Sequence, residues 1–298
     1  MTKRVFPFIF ICFIIANSAY AQIKYAVIPE NPRPGEPVTI AAEAEAKHAV
    51  LFRNERQIAK AAFFSVPDFK IAVLAIPSTI SPGNAVLKLE NENGILVEIP
   101  FTIAERAFNS ETIELNPVLT GIRTDPSPQR TNEANHLWAI LSTAGNEVYY
   151  TGAFIPPVTS TRRTSFFGDR RVFKYSDGSS DTSIHAGVDY GVPTGTRVTA
   201  CGAGKVILAR SRIVTGNSIV IEHAPGIYSL YYHLSKIEVQ EGSIVNAGDL
   251  IGLSGSTGLS TGPHLHWELR VNTENTDPDA FVSRPIIDKW SIISKINN

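Results

Sequence analysis

Strand-sized apolar runs, separated by turn residues, fill the first part of the chain after an apolar leader. The runs PVTIAAEAE, FKIAVLAIP, AVLKLE and ILVEIPFTI each have the length of a strand, and NPRPGE, STISPGN and NENG lie between them. Short apolar runs alternating with Pro, Gly and Asn are typical of β-sandwiches. The pattern predicts a small β-sandwich over residues 22–104, with an immunoglobulin-like arrangement as one option.

The pattern changes over residues 105–158. The stretch TNEANHLWAIL has a helical spacing that places its apolar residues, Leu137, Trp138, Ile140 and Leu141, on one side. The preceding PSPQR has the composition of a loop. We expect a linker region that contains one short helix.

Glycine-punctuated apolar runs return in the C-terminal half. GTRVTACGAGKVILAR, NSIVIEH, IYSLYYHL, GSIVNAGDLIGLSG and HLHWELRV have the composition of strands, and no helical periodicity is found among them. The expected fold class is therefore mainly β. The sandwich is followed by a glycine-rich antiparallel β domain over residues 159–285, and residues 286–298 form a C-terminal tail.

The leader, residues 1–21, has the pattern of a cleaved secretory signal. Lys3 and Arg4 precede an apolar run, and Ala19-Tyr20-Ala21 supplies the small residues of a cleavage site. The apolar run is short for a membrane span, and no later stretch is long and apolar enough to cross a bilayer. We expect an exported protein, periplasmic or secreted, with no membrane span after cleavage.

Charge and cysteine content narrow the function classes. Cleavage removes Lys3 and Arg4 and no acidic residue, so 25 basic side chains remain against 28 acidic ones, a net charge of −3. This balance argues against nucleic acid as a partner. Cys201 is the only cysteine after the leader, so no internal disulfide forms, and its small-residue surroundings favour a packed, inert thiol.

The stretch TGPHLHWELR carries the first sign of chemistry. In a strand, residues two apart point the same way, so His264, His266 and Glu268 share one face. Two imidazoles and a carboxylate are costly to bury without partners. This face is either solvated or part of a site.

Five of the seven histidines lie between positions 185 and 266. His185 and Asp189 are four apart in HAGVDYG, and His233 ends the aromatic run LYYHL. Taken singly, each is more often a turn, ion-pair or core residue than a ligand. Together they supply the residue types that a catalytic zinc site needs, since such a site has three protein ligands and an open fourth position. His185, Asp189 and one histidine of the HLH pair are the candidate ligands, and the spacing does not choose between His264 and His266.

Three motifs in order give a specific resemblance. HAGVDYG, YYHL and GLSTGPHLHWEL, flanked by TSFFGDRR, GNSIVIEH and GSIVNAGDLIGLSGSTG, resemble the lysostaphin/LytM-type zinc endopeptidases that cut peptidoglycan peptides. The resemblance covers roughly residues 160–283. It implies a zinc metalloendopeptidase with peptidoglycan as its substrate and one Zn²⁺ in the catalytic domain.

The resemblance also assigns roles to individual residues. It implies that His185, Asp189 and His266 bind zinc and that His233 and His264 are the catalytic pair, one as general base and the other, if protonated, on the oxyanion. In some relatives a residue upstream of the catalytic domain fills the open zinc position; Asn116 and Asp125 are candidates here. The role of the sandwich, targeting or inhibition, stays open.

Two other function classes compete with this hypothesis. One is a non-enzymatic LytM-like activator of another cell-wall hydrolase; such relatives typically lack zinc ligands, whereas all three are present here. The other is a binding protein with a structural zinc. A closed structural site needs a fourth protein ligand, and no spare cysteine is positioned for it.

Overall fold

The chain is mainly β, as predicted. The computed structural model describes residues 23–43, 45–150 and 152–297. The predicted secretory signal, residues 1–21, lies outside these residues. Among the described residues, no helix combines the length and apolarity that crossing a membrane requires.

Eight strands build the N-terminal unit as two four-stranded antiparallel sheets, with orders β1-β2-β6-β5 and β4-β3-β7-β8. A shared apolar core lies between them, as expected for a sandwich. The strands are β1 (Tyr25–Ile28), β2 (Pro37–Ala42), β3 (His48–Arg53), β4 (Arg56–Ala62), β5 (Phe64–Val66), β6 (Phe69–Ala75), β7 (Gly83–Asn91) and β8 (Gly94–Ile103).

The elements that follow carry the C-terminal unit. They are β9 (Ser110–Glu114), α1 (Pro117–Arg123), α2 (Pro128–Ser142), β10 (Arg163–Ser165), β11 (Arg170–Lys174), β12 (Ser180–Ile184), β13 (Val188–Tyr190), β14 (Arg197–Thr199), β15 (Gly204–Arg212), β16 (Gly216–Ala224), β17 (Ile227–Leu234), β18 (Lys236–Ile237), β19 (Ile244–Val245), β20 (Leu250–Leu253), β21 (Leu265–Val271), β22 (Glu274–Thr276), α3 (Pro278–Ser283) and α4 (Lys289–Asn297).

An eight-stranded sheet is the centre of this unit. Its order is β10-β13-β21-β17-β16-β15-β19, and β22 pairs with β21. Nearly every residue of β16 and β17 is buried, because apolar layers cover both faces. One layer includes Tyr231 and Trp267. The other includes Tyr228, Leu230 and Leu141 of α2.

The sheet that contains β2 and β6 contributes side chains to two hydrophobic cores, one on each of its faces. Alternate residues of a strand point to opposite faces; Ile40 and Leu74 enter the sandwich core, whereas Ala41, Ile71 and Val73 enter the large core of the C-terminal unit. This shared sheet packs the two units directly against each other.

Several predictions of local structure for residues 105–158 need correction. PSPQR was expected to be a loop, but α2 begins inside it at Pro128, with the Ser127 side chain accepting a hydrogen bond from the Arg130 N–H. Trp138 was expected on the apolar side of this helix, yet it is 61% exposed. The region 105–158 also contains β9 and α1, and β9 pairs in parallel with β11.

The C-terminal end contains two helices that periodicity did not indicate. The side chain of Asp277 caps α3 by accepting from the Asp279 N–H, and Phe281 of this helix is fully buried. α4 lies in the predicted tail and packs against β1, with Ile292 in the large core. Short helices of this kind depend on tertiary packing more than on their own amphipathic pattern.

Buried polar side chains lie beside the thiol of Cys201, the only cysteine among the described residues. Cys201 is fully buried, as predicted, and burial raises its pKa to about 12. The neighbouring His223 donates from Nδ1 to the carbonyl of Ala203 (2.8 Å), and its Nε2 accepts from the Ser229 hydroxyl (2.7 Å). Burial lowers the pKa of His223 to about 4, so this histidine is neutral in the folded chain.

His223 makes the stability of the fold pH-dependent. As pH falls below 6.5 the unfolded chain binds a proton at His223, which the folded chain does not accept until about pH 4. At ~1.4 kcal/mol per pKa unit, this removes about 3 kcal/mol of stability across that window. We expect His223→Gln to flatten the fall in unfolding free energy between pH 6.5 and pH 4, measured by denaturant titration. His136→Gln, a change on the exposed face of α2, is the control, and an identical slope in both variants would contradict the assignment.

Candidate metal centre and active site

The three residues predicted to bind metal lie together where β13 meets β21. The strand register sets Asp189 directly opposite His266, and His185 enters from the turn before β13. His185 Nε2 lies 3.0 Å from His266 Nδ1 and 3.2 Å from Asp189 Oδ1, and the last two atoms are 2.7 Å apart. Three potential ligand atoms of buried side chains thus converge on one point.

A glycine lets these two strands approach. A Cβ at Gly187 would lie 2.1 Å from the carbonyl oxygen of Trp267 on β21, far inside the distance that two non-bonded atoms tolerate. The glycine of the HAGVD stretch is therefore required for the close backbone contact that brings Asp189 beside His266.

Hydrogen bonds orient both histidines of the trio. His185 Nδ1 lies 2.8 Å from the carbonyl oxygen of Phe166, which can only accept, so Nδ1 carries the proton and Nε2 faces the trio. His266 Nε2 donates to Glu268 Oε1 at 3.0 Å, which turns Nδ1 toward Asp189. Such outer hydrogen bonds are typical of metal-binding histidines.

The electrostatics of this point favour a cation. Burial alone would lower the pKa of His266, but its hydrogen bonds and the charges of Asp189 and Glu268 outweigh burial and raise the pKa to about 9. Burial would likewise raise the pKa of Asp189, but its close contacts with His185 and His266 hold it well below the usual value. Two imidazoles and one carboxylate are a donor set that zinc binds with a fourth position open, so the residues fit this metal.

The two histidines predicted to handle protons lie beside the trio. The ring centroids of His233 and His264 are 4.8 Å apart, and His264 Nε2 is 3.8 Å from Asp189 Oδ1. His233 Nδ1 donates to the carbonyl of Thr257 at 2.7 Å, and His264 Nδ1 donates to the carbonyl of Gly262 at 2.8 Å. Each ring therefore keeps Nε2 as its proton-accepting atom.

Burial keeps these two rings neutral. Burial, and then the unfavourable electrostatic interaction of a second proton with His264 and His266, lower the pKa of His233 to about 3. Burial also lowers the pKa of His264, although the charge of Asp189 opposes the change. Both histidines are consequently proton acceptors at neutral pH.

His233 also has an unusual backbone. Its φ is +61°, in the left-handed region that side-chain-bearing residues rarely adopt. The backbone N–H of His233 donates to the carbonyl of Thr215 at 2.9 Å, and this bond, with the Thr257 contact of the ring, holds the conformation. Backbone strain of this kind is concentrated at functional positions.

The five polar residues open onto a cleft of about 320 Å³. Its lining includes Ile113, Leu115 and Arg123 of α1, together with Val214 and Leu259. The first three come from the region that the sequence pattern indicated as a linker.

Sequence reasoning missed two residues that contact the trio. Arg171 donates from Nη2 to Asp189 Oδ2 at 2.8 Å; it lies in the flanking stretch TSFFGDRR, where its charge was the only signal. Tyr232 stacks on His266, with ring centroids 5.5 Å apart. Its place beside His233 in YYHL gave no indication of this contact, which depends on the pairing of β17 with β21.

The two upstream candidates for the fourth metal position are used elsewhere. Asn116 caps α1 by accepting from the Leu119 N–H at 2.9 Å. Asp125 accepts from the Ser127 N–H at 2.7 Å, just before α2. Neither is among the described residues that line the cleft.

Comparison with known proteins gives a family match over the region of this site. Residues 183–278 match Peptidase family M23. The DD-carboxypeptidase/endopeptidase Mpg of Neisseria meningitidis is 38% identical over 135 residues, which are 45% of this chain and 30% of the relative. The peptidoglycan DD-endopeptidase ShyA of Vibrio cholerae is 48% identical over 116 residues, 39% of this chain and 26% of the relative.

Lysostaphin of Staphylococcus staphylolyticus is 46% identical over 92 residues, 30% of this chain and 19% of the relative. This chain thus spans less than a third of the length of these curated relatives. A crystal structure of a putative peptidase M23 from Pseudomonas aeruginosa shares the fold, with a TM-score of 0.58 at 24% identity over 84% of this chain and 94% of the other. Residues 183–278 therefore form a domain of peptidase family M23, which confirms the predicted resemblance to LytM-type peptidases.

Proposed function

We propose that this protein is a zinc-dependent endopeptidase that hydrolyses peptide bonds in peptidoglycan stem peptides or cross-links. One observation carries the proposal. The convergent atoms of His185, Asp189 and His266 lie beside two neutral histidines, His233 and His264, at an open cleft. A metal-ligand trio and a proton-accepting pair at one exposed site are the parts that metal-assisted hydrolysis needs.

The metal and the protein have separate tasks in this proposal. Zinc, when bound by the trio, supplies a Lewis acid that polarises the scissile carbonyl and lowers the pKa of water. The unprotonated Nε2 of His233 or His264 takes a proton from the attacking water and returns it to the leaving amine. The other histidine would hydrogen-bond to the developing oxyanion in the state in which its Nε2 carries a proton.

Hydrogen bonds with residues outside the trio hold the proposed ligands in position. Glu268 accepts from His266, and its other carboxylate oxygen accepts from Arg270 Nε at 2.8 Å. Burial would raise the pKa of Glu268, but the charge of Arg270 and the bond from His266 lower it to about 2. Glu268 therefore stays ionised and keeps the His266 ring turned toward the metal position.

The names of two relatives support the choice of substrate. The Vibrio cholerae relative is named a peptidoglycan DD-endopeptidase, and a match of 46% identity is named lysostaphin. Peptidoglycan lies outside the cytoplasmic membrane, so this function requires export, which agrees with the secretory signal predicted at residues 1–21. The protein is accordingly proposed to act in the periplasm or outside the cell.

We also propose a domain division that keeps the predicted boundaries but groups the predicted linker region with the peptidase domain. Residues 22–104 form the sandwich and residues 159–285 the core of the peptidase domain. The region 105–158 works with the peptidase domain, because β9 pairs with β11 and Ile113 and Leu115 line the cleft.

The proposal predicts one tightly bound zinc ion per chain. We expect Asp189→Asn to weaken zinc binding substantially, because it removes the only anionic ligand of the trio. The loss should exceed the roughly 10–100-fold that is typical when a residue hydrogen-bonded to a metal ligand is replaced. Elemental analysis gives the zinc content of residues 22–298, and competition with a chromophoric chelator gives the affinity.

Asp279→Asn is the matched control for this change. Asp279 is also an aspartate paired with an arginine, since Arg163 Nη2 donates to it at 2.7 Å, and it lies outside the site. Unchanged zinc affinity in Asp189→Asn would contradict the ligand assignment.

The proposed proton transfer predicts a separation between metal binding and catalysis. We expect His233→Ala and His264→Ala each to keep one zinc while losing about 10²–10⁴-fold in hydrolysis, the range for loss of general acid–base catalysis. Mass spectrometry of muropeptides released from purified peptidoglycan, with and without chelator, reports the rate, the bond cut and the metal dependence together.

His136→Ala on α2 is the control, because this histidine is exposed and does not line the cleft. Full activity in a zinc-loaded His233→Ala protein would refute the role given to that residue. A wild-type chain that releases no peptide but stimulates a partner cell-wall hydrolase would favour the non-enzymatic activator instead.

A further inference from the structure

A strand from outside the family-matched region reaches the metal site. β9 lies ahead of residues 183–278 and runs parallel to β11, with Glu111 in register with Arg171 and Glu114 in register with Lys174. Alternation along β9 half-buries Glu111 and Ile113 on the cleft side, while Glu114 is exposed on the other side.

Arg171 connects this strand to the metal-ligand trio. Its Nη2 donates to Asp189 Oδ2 at 2.8 Å, and its Nε donates to Glu111 Oε1. The buried Ser165 hydroxyl braces the pair, because it accepts from Arg171 Nη2 at 2.8 Å and donates to Glu111 Oε1 at 2.8 Å. The Arg171 side chain is only 15% exposed, so these charges are poorly screened by solvent.

The geometry divides the two oxygens of Asp189 between two tasks. Oδ2 is fixed by Arg171, while Oδ1 faces His185 and His266. A guanidinium in this position orients the carboxylate but also repels a divalent cation. The carboxylate of Glu111 neutralises that charge and fixes the plane of the guanidinium fork.

We propose that Glu111 and Arg171 are positioning residues for the metal ligand Asp189, so that the region 105–158 supplies part of the metal site. The proposal rests on the proposed zinc-dependent function. Glu111 acts through Arg171 and does not contact the trio itself. Its removal leaves an uncompensated, less ordered arginine beside the metal position.

The same two strands offer a matched control. Glu114 and Lys174 form an equivalent cross-strand ion pair three residues further on, 3.5 Å apart and largely exposed. Glu111→Gln and Glu114→Gln therefore remove the same charge from the same strand. A general effect of charge or strand pairing changes both variants alike, whereas positioning of Asp189 changes only the first.

The experiment measures zinc affinity by chelator competition and the visible absorption of the cobalt(II)-substituted site. It uses residues 22–298 as wild type, Glu111→Gln, Glu114→Gln, Arg171→Gln and the Glu111→Gln/Arg171→Gln double variant. Thermal unfolding of the metal-free proteins is recorded in parallel. We expect Glu111→Gln to weaken zinc binding about 10–100-fold and to alter the cobalt spectrum, with Glu114→Gln within about twofold of wild type.

The double variant tests the order of the chain of contacts. If Glu111 acts through Arg171, the double variant binds zinc no more weakly than Arg171→Gln alone, because coupled residues are not additive. Equal affinities and spectra for Glu111→Gln and Glu114→Gln, or additive losses in the double variant, overturn the proposal.

If Glu111→Gln does not fold, Glu111→Asp is compared with Glu114→Asp by the same criteria. A wild type that binds zinc and cleaves peptidoglycan separates such a failure from failure of the proposed function, whereas a wild type that binds no zinc overturns both.

Discussion

The cross-strand pairing of Asp189 with His266 is the constraint on which the rest of the site depends. These residues are directly opposite each other in the antiparallel register of β13 and β21, and a shift of one residue would send both side chains into the opposite apolar layer. Trp267 and Val188, the next pair in the register, are fully buried in that layer. Core packing therefore fixes the register, and the register fixes the positions of these two proposed metal ligands.

The buried charges of His266 and Asp189 need oppositely charged partners. The fold provides such partners on two sides of this pair. On one side His266 is followed by Glu268 and Arg270, which alternate onto the same face of β21. On the other side Asp189 is followed by Arg171 and Glu111, which lie on two further strands. Each charge removed from water is thus matched by an opposite charge, as buried ionic groups require. The metal-site residues are the meeting point of these two chains of contacts.

The sequence predicted local features of the site far better than its long-range ones. Strand alternation correctly indicated that His266 and Glu268 share a face, and the two residues are hydrogen-bonded. The convergence of His185 and Asp189 with His266 was suggested by resemblance, since spacing alone did not choose between His264 and His266. Tyr232 and Arg171 were missed because their contacts depend on strand pairing, which carries no short-range signal.

Secondary structure shows the same difference between local features, which the sequence predicted, and long-range ones, which it did not. Most long apolar runs became strands, but β9 was missed because SETIE is short and has few apolar residues. It is a strand because it pairs with β11, some sixty positions later in the chain. α3 and α4 were missed for a related reason: Phe281 and Ile292 are buried by neighbours distant in sequence, and neither helix is long enough for a clear periodicity.

The placement of β9 links the N-terminal sandwich to the metal site. Residues 104–109 join β8 to β9, and this connection is tied to both units. The Ala104 N–H donates to the carbonyl of Pro32 in the sandwich, and Arg106 pairs with Asp277 at 2.6 Å in the C-terminal unit. The guanidinium of Arg170, next to Arg171 on β11, donates to the carbonyl of Ser78. Because the sandwich also shares a core with the peptidase domain through Ala41 and Ile71, the strand that carries Glu111 has little freedom to move relative to Asp189. The precision of the metal site thus draws on packing well outside the segment that carries its ligands.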